Sequence, residues 1–173
     1  RRIIELNLDR HDLYGIDWAW LSFGSEGRDE QTFTTDQDNG IVYLLTDLMD
    51  REQTQLRFLE FARDVNDDLD KCGFPLCKGN IMASNPDLCL TLEEWEERFA
   101  RWVRTPEPQA LLNATIFFDF RPLYGRFNLA HRLRLSLFRQ TQGNPLFLRM
   151  LAQNALGVAP PLGRIRDLSL IHI

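Results

Sequence analysis

Residues 24–39 are Gly-Ser-Glu-Gly-Arg-Asp-Glu-Gln-Thr-Phe-Thr-Thr-Asp-Gln-Asp-Asn, and this stretch contains the features that decide the fold. It starts with a glycine-rich turn after an apolar run and ends with two aspartates, Asp36 and Asp38, one residue apart. Because side chains alternate between the two faces of a strand, both aspartates are expected to point the same way. The sequence therefore predicts a pair of carboxylates beside a turn.

This pairing favours phosphoryl or nucleotidyl transfer over other chemistries. Mg²⁺ prefers oxygen ligands, and two neighbouring carboxylates suit it when nucleotide phosphates fill its remaining positions. The turn around Gly24 offers backbone N–H groups and the small hydroxyl of Ser25 to phosphate oxygens.

Apolar runs on both sides of the stretch predict two strands. Residues 16–23 lie between two glycines, and residues 39–45 contain Ile41, Val42 and Tyr43. The intervening residues are expected to form a loop with a short helical turn. A third strand is predicted over residues 114–120, with Asp119 near its end, whereas residues 74–90 are expected to be mostly loop.

Helical spacing covers much of the remaining chain. Residues 50–71 predict a helix with Gly73 as its C-cap, and Thr91 with Glu94 forms a capping box before a second helix. The buried stripe of the second helix is expected to contain Leu92, Trp95, Phe99 and Trp102. Further helices are predicted within residues 1–10, after Gly125 with Leu129, Leu133 and Leu137 in register, and over residues 145–156.

Composition excludes several classes of protein. The net charge of −5 argues against general nucleic-acid binding, although the part after residue 120 has eight arginines and one acidic residue. That basic part could face phosphates or an acidic partner, or could be a solvated helix surface. No apolar run reaches the roughly 18 residues that a membrane span needs.

The three cysteines and the two chain ends lead to further expectations. Cys72, Cys77 and Cys89 lack paired spacing, which disfavours both a disulfide framework and a cysteine-based zinc site, so a reducing cytoplasm fits best. The chain has no initiator Met, and residues 168–173 resemble a translated sequencing-library adapter. We expect the sequence to be a piece of a longer protein.

Other known motifs fit this part of the sequence less well. A calcium loop starting at Asp36 would need Gly at its sixth position and Glu at its twelfth, where the chain has Ile41 and Asp47. Neither a P-loop nor a dinucleotide-binding glycine pattern is present. Asp119, taken by itself, could be an ordinary helix cap or strand-end residue.

Three motifs in order give the chain a resemblance to a known family. They are the stretch 24–39, the loop CKGNIMASNP at residues 77–86, and FFDFRPLYG at residues 117–125. Over residues 10–165 the chain resembles bacterial nucleotidyltransferases found behind CBS and cyclic-nucleotide-binding domains. These proteins are distant relatives of the protein-PII uridylyltransferases and share the polymerase-β-like fold.

The resemblance implies an α+β fold, in which a small mixed β-sheet is packed by helices and is followed by a truncated all-helical segment. The catalytic domain would cover residues 1–120, the start of a helical substrate-binding domain would cover residues 121–167, and residues 168–173 would be a non-native tail. The polar Gln37 and Asn39 depart from the broader fold pattern, in which apolar residues flank the aspartate pair.

The resemblance also implies roles for individual residues. Asp36, Asp38 and Asp119 would bind two Mg²⁺ ions, or Mn²⁺, and Asp119 could help to deprotonate the acceptor hydroxyl. The remaining nucleotide-binding residues would be Gly24, Ser25, Gly27, Arg28 and Arg121. Lys78, Asn80 and Ser84 are candidates for shaping the nucleotide or acceptor pocket.

Two function classes follow from the resemblance. The first is a cytoplasmic Mg²⁺-dependent enzyme that transfers UMP or AMP from a nucleoside triphosphate to a protein or small acceptor in bacterial signal transduction. The second is a non-catalytic nucleotide-binding module coupled to attached sensor domains. Polymerisation or tailing of nucleic acid is disfavoured, because the part with the carboxylates is acidic and shows no basic, aromatic-lined groove.

Overall fold

A computed structural model describes residues 1–28, 30, 36–105 and 107–156, without the side chains of residues 108, 154 and 155. These residues form four strands and seven helices, an α+β arrangement that confirms the predicted fold class. The strands are β1 Trp18–Ser22, β2 Asn39–Tyr43, β3 Cys89–Thr91 and β4 Arg121–Gly125. The helices are α1 Arg2–Leu8, α2 Gly24–Gly27, α3 Arg51–Lys71, α4 Leu92–Arg104, α5 Pro108–Phe117, α6 Phe127–Gln142 and α7 Pro145–Leu156.

The four strands form one mixed sheet in the order β3-β2-β1-β4. Strand β1 is antiparallel to both β2 and β4, whereas β2 and β3 run parallel. Ser22 is paired with Asn39 on one side and with Arg121 on the other. The carboxyl end of β1 therefore lies beside the amino ends of β2 and β4, and three loops meet at one edge of the sheet.

Each face of the sheet packs against its own group of helices. Residues that alternate along the strands divide between two apolar clusters, as expected for a sheet that is covered on both sides. Trp18, Trp20, Ile41 and Tyr43 face the cluster that includes side chains of α1 and α3. Side chains of α4, α5 and α6 cover the opposite face.

Several local predictions are confirmed. Helix α3 starts after Asp50, whose carboxylate accepts a hydrogen bond from the Gln53 N–H, and Gly73 follows its end with a φ of 93°. The capping box of Thr91 and Glu94 is present at the start of α4. Trp95 is fully buried and donates its indole N–H to the Ile41 carbonyl at 2.9 Å, so it is a core residue.

The prediction of a strand over residues 114–120 was wrong. Residues 108–117 form α5, in which Ala110, Ala114 and Phe117 are buried at helical spacing and Pro108 occupies the first turn. The strand begins only at Arg121. Asp119 therefore lies in the connection between α5 and β4, and it does not share a strand face with Arg121.

The prediction of an irregular segment over residues 74–90 missed a strand. Cys89 and Leu90 belong to β3, which pairs in parallel with β2 and is preceded by a 3₁₀ turn, Pro86–Leu88. A strand of three residues is too short to give a recognisable alternation of apolar and polar residues.

The C-terminal helices agree with the predicted spacing. Leu129, Leu133 and Leu137 of α6 are buried in the same cluster as Leu21 and Phe23. The predicted domain boundary near residue 120 stays a prediction, and residues 157–173, with the predicted tail at 168–173, lie outside the described residues. Within the described residues, no helix combines the length and the apolar character needed to cross a bilayer.

Candidate functional site

Groups from the first and third sequence motifs meet at the edge of the sheet where β1 ends. From the first motif, the turn formed by α2 follows β1 and the aspartate pair precedes β2. From the third motif, Asp119 precedes β4. The antiparallel pairing of β1 with both neighbours makes these positions adjacent. Residues 29 and 31–35 of the first motif lie outside the described residues.

Asp36 and Asp38 form a group with a third side chain, that of Cys77. One carboxylate oxygen of each aspartate and the Cys77 Sγ all lie within 4.8 Å of one another. Asp36 is exposed and Asp38 is half-buried. Within the described part of the chain, these three residues are the one set of possible metal ligands that is grouped this closely.

Asp38 is the carboxylate whose surroundings are most unusual. Its Oδ1 is buried and has no hydrogen-bond partner among the described residues. Burial raises the pKa of Asp38, the Cys77 hydrogen bond opposes this rise, and the nearby charge of Asp36 adds to it. An uncompensated buried carboxylate oxygen is costly unless a cation or a donor approaches it, so Asp38 fits a cation site.

Cys77 sits in a tight turn that presents its sulfur to Asp38. The Asn80 N–H donates to the Cys77 carbonyl at 2.9 Å, and Asn80 has a φ of 56°. Burial raises the pKa of the Cys77 thiol to about 11, and the nearby backbone N–H groups of Ile81 and Gly79 oppose this rise.

A buried amide network fixes the backbone that carries the two aspartates. The Asn66 side chain of α3 donates to Gln37 Oε1 at 2.7 Å and to Asn39 Oδ1 at 3.1 Å. Gln37 Nε2 donates to the carbonyls of Asn66 and Phe74, and the Ala83 N–H donates to Asn39 Oδ1. The polar residues that depart from the broader fold pattern thus tie the aspartate pair to α3.

The same segment is paired with the loop that contains Cys77. The Gln37 N–H donates to the Pro75 carbonyl at 3.1 Å, and the Asn39 N–H donates to the Ile81 carbonyl at 3.0 Å. On the other side, the Phe23 N–H donates to the Asp38 carbonyl at 2.9 Å. The aspartate pair is therefore held between the end of β1 and the loop of residues 74–84.

Glycines at positions 24 and 27 let the α2 turn pack closely against the other motifs. Gly24 has a φ of 55°, and a Cβ there would lie 3.7 Å from Asp38 Oδ2. At Gly27, a Cβ would lie 2.2 Å from the backbone oxygen of Asp119, closer than any real contact. Ser25, in the same turn, has a partly exposed side chain.

Arg28 holds Asp119 through a salt bridge. Its guanidinium lies 3.0 Å from Asp119 Oδ2 and 2.8 Å from Glu30 Oε2, and the Glu30 hydrogen bond is the main cause of its raised pKa. Asp119 is absent from the close group of Asp36, Asp38 and Cys77. The structure thus brings Asp119 to the same edge of the sheet but pairs it with Arg28.

Arg121 connects β4 to the α2 turn. Its Nε donates to the Glu26 carbonyl at 3.0 Å, and its side chain is half-buried. This contact places a guanidinium beside the turn where phosphate binding is expected.

A pocket of about 310 Å³ opens next to the aspartate pair. Asp36 and Glu26 lie on its polar side, Trp20, Phe74 and Leu123 contribute apolar walls, and α1 covers it. Its volume lies at the lower end of the range for small-molecule sites. It therefore has room for a small group close to Asp36.

Two parts of this site were missed from the sequence. Cys77 lacks a paired cysteine, which disfavours a metal role from spacing alone, although its place in the motif of residues 77–86 is a signal. Asn66 gave no sequence signal, because an isolated polar residue in a helix is usually exposed. Lys78 is exposed, whereas the Ser84 N–H donates to the Asn66 side chain at 3.3 Å.

The amide network predicts the effect of replacing Asn66. Asn66→Ala leaves the buried Gln37 Oε1 without its donor and removes one of the two donors to Asn39 Oδ1, so the free energy of unfolding should fall by roughly 1–3 kcal/mol. Asp67→Ala replaces the exposed neighbour of Asn66 on α3. This substitution should change the free energy of unfolding by less than about 0.5 kcal/mol. Urea unfolding of both variants measures the difference, and equal stabilities would contradict the role of the network.

The close approach at Gly27 predicts a second stability effect. Gly27→Ala forces the Asp119 backbone to move, which should cost about 1–3 kcal/mol. Gly143→Ala is the control, since its added Cβ would meet only atoms at ordinary distances of 3.7 Å or more. Thermal unfolding should show a lower melting temperature for Gly27→Ala alone. If Gly27→Ala melts at the same temperature as the unaltered protein, the turn does not pack tightly against the Asp119 backbone.

The raised pKa of Asp38 predicts a gain in stability when its charge is removed. A folded-state pKa above the unfolded value means that stability decreases as the pH rises through the folded-state pKa. Asp38→Asn should therefore raise the free energy of unfolding of the metal-free protein at neutral pH, and this gain should vanish in acid. Urea unfolding in the presence of a chelator, from pH 4 to pH 7, tests this. A loss of stability at neutral pH would contradict it.

Comparison with known proteins agrees with this geometry. No curated protein and no solved structure gave a significant match to the chain. One family model, described as "Putative nucleotidyltransferase DUF294", matches residues 1–109 and so includes the α2 turn, the aspartate pair and the Cys77 loop. The match spans more than half of the 173 residues. The chain therefore belongs to the DUF294 family of nucleotidyltransferases.

Proposed function

We propose that this protein is a Mg²⁺-dependent enzyme that transfers a nucleoside monophosphate, UMP or AMP, from a nucleoside triphosphate to an acceptor. The single observation that carries the proposal is the position of Asp36 and Asp38. They lie side by side next to a glycine-serine turn, and one buried oxygen of Asp38 lacks a partner among the described residues. Family membership supports nucleotidyl transfer in general.

The residues present fit a divalent cation. The aspartates supply hard oxygen ligands, and the unpartnered Oδ1 of Asp38 has a lone pair to offer. When bound, Mg²⁺ would neutralise charge on the transferring phosphoryl group and on the departing pyrophosphate. Asp36 and Asp38 would hold it, and Asp119 is the third candidate ligand from the sequence.

The turn would bind the triphosphate through backbone and side-chain donors. Backbone N–H groups at the start of the turn would bind phosphate oxygens, and Ser25 adds a hydroxyl. Gly24 and Gly27 let this turn pack closely against the aspartate pair and Asp119. Arg28 and Arg121 approach the turn from two sides, and a guanidinium can bind phosphate oxygens in a bidentate manner. The substrate would thus lie between the turn and the aspartate pair.

Arg28 would link substrate binding to the position of Asp119. Phosphate oxygens would compete with Asp119 and Glu30 for its exposed guanidinium. Once released, Asp119 could turn toward the aspartate pair and accept a proton from the acceptor hydroxyl. The pocket beside Asp36 would take the base of the nucleotide or part of the acceptor.

A second candidate is a nucleotide-binding module without catalysis, and the pairing of Asp119 with Arg28 favours it. In this case the module would report to attached CBS or cyclic-nucleotide-binding domains in a bacterial signalling protein. In the first case the acceptor would be a protein, as for the protein-PII uridylyltransferases, or a small molecule.

Transfer activity of aspartate variants tests the proposal. Triphosphates labelled at the α-phosphate are incubated with the protein, Mg²⁺ and a cell extract, and label in products and release of pyrophosphate are measured. Asp36→Asn and Asp38→Asn should lower the rate at least about 10²-fold, because a bound metal contributes several kcal/mol to the transition state. Asp47→Asn, which changes an exposed aspartate after β2, is the matched control and should keep full activity.

Two results would contradict the enzyme proposal. Undiminished transfer by Asp38→Asn would contradict the proposal that Asp38 binds the catalytic Mg²⁺. Triphosphate binding by the unaltered protein without pyrophosphate release would favour the non-catalytic module.

A further inference from the structure

We propose that Asp36, Asp38 and Cys77 form a binding site for a thiophilic divalent cation such as Zn²⁺. Zn²⁺ bound at this site would compete with Mg²⁺ for the carboxylates of Asp36 and Asp38. The proposal that Zn²⁺ binds here does not depend on the proposed function. The expected inhibition of transfer by Zn²⁺ does depend on it.

The distances among the three side chains suit such an ion. Zn²⁺ binds thiolate sulfur at about 2.3 Å and carboxylate oxygen at about 2.0–2.2 Å, which places tetrahedral ligand atoms roughly 3.3–3.7 Å apart. The three candidate atoms lie within 4.8 Å of one another, so closing the site needs movement of roughly 1 Å. Three protein ligands leave the fourth position for water or a substrate oxygen.

An independent observation points to a ligand at this place. Asp38 Oδ1 is buried without a hydrogen-bond partner among the described residues, and one oxygen of this carboxylate lies within 4.8 Å of the Cys77 Sγ. Buried polar atoms in folded proteins are normally paired with protein, water or an ion. A cation bound at this carboxylate would pair with both the exposed Asp36 and the half-buried Asp38.

The loop around Cys77 is built to present its sulfur. Cys77 lies in a turn closed by the Asn80 N–H, and the nearby backbone N–H groups of Ile81 and Gly79 act to lower the pKa of its thiol. N–H donors stabilise the charged form of the group that they bind. When the ion binds, the S–H proton leaves for solvent, and the thiolate becomes the ligand.

Hydrogen bonds between two segments hold the cysteine beside the aspartates. The backbone N–H groups of Gln37 and Asn39 donate to carbonyls of the Cys77 loop, and the Asn39 side chain accepts the Ala83 N–H. The three ligands therefore come from two segments that are locked together without a metal.

The sulfur changes which ion the site prefers. Two carboxylates alone suit Mg²⁺ and Mn²⁺, whereas an added thiolate favours softer ions such as Zn²⁺. For divalent ions of the first transition row, affinity rises from Mn²⁺ to Cu²⁺ and is lower again for Zn²⁺, so the preference for Zn²⁺ over Mg²⁺ rests on the sulfur ligand. A thiophilic ion would therefore displace Mg²⁺ at a much lower concentration, and the site would sense such ions.

Binding of Co²⁺, a spectroscopic substitute for Zn²⁺, tests the site without relying on activity. Titration of the purified protein with Co²⁺ should produce a thiolate-to-cobalt charge-transfer band, and addition of Zn²⁺ should remove it. In Cys77→Ser the band should be absent and the Co²⁺ dissociation constant should rise by about tenfold or more, since even the loss of a supporting partner costs that much. Cys72→Ser changes an exposed cysteine at the end of α3 and should keep the band unchanged.

The outcomes separate this inference from the proposed function. An unaltered band in Cys77→Ser, or no band in the unaltered protein, would overturn the site. If transfer activity exists, Zn²⁺ should inhibit it in Cys72→Ser at concentrations at least about tenfold lower than in Cys77→Ser. If the band is present and no transfer is found, the metal site stands and the proposed function fails.

Discussion

The candidate site depends on the hydrogen bonds of the buried Asn66 side-chain amide. It joins Gln37 and Asn39, which flank Asp38, to helix α3 and to the loop that contains Cys77. Buried amides contribute little net stability when they are paired, but unpaired ones are costly, so few other arrangements of these segments are tolerated. The network therefore specifies where the aspartates lie more than it stabilises the fold.

The direction of the strands brings the other groups to the same place. Because β1 is antiparallel to β2 and β4, the turn after β1 lies beside the residues that precede both neighbours. The parallel β3 adds the loop that precedes it, with Cys77, at this edge. A four-stranded sheet thus collects groups from positions 24 to 121 at one edge.

Local signals predicted most of the elements, whereas contacts distant in sequence decided what was missed. The strand β1, the capping box at Thr91 and the helices α3 and α6 follow from patterns within a few residues. The apolar run at residues 114–120 fits a strand or a helix equally well, and packing of Ala114 and Phe117 into the core selects the helix. The pairing of Cys77 with Asp38, like that of Arg28 with Asp119, depends on tertiary contacts that spacing does not contain.

The balance of charge at this edge supports the proposal that a cation binds there. The guanidinium of Arg28 is shared between Asp119 and Glu30, and Arg121 donates to a backbone carbonyl of the turn. Among the described residues, the third member of the close group of Asp36 and Asp38 is the Cys77 thiol, which has no positive charge, whereas Arg1 and Arg2 line the pocket next to Asp36. Two adjacent carboxylates, one of them half-buried, repel each other and lose solvation. A divalent cation removes both costs at once, and the phosphates that such an ion attracts would meet the donors of the neighbouring turn.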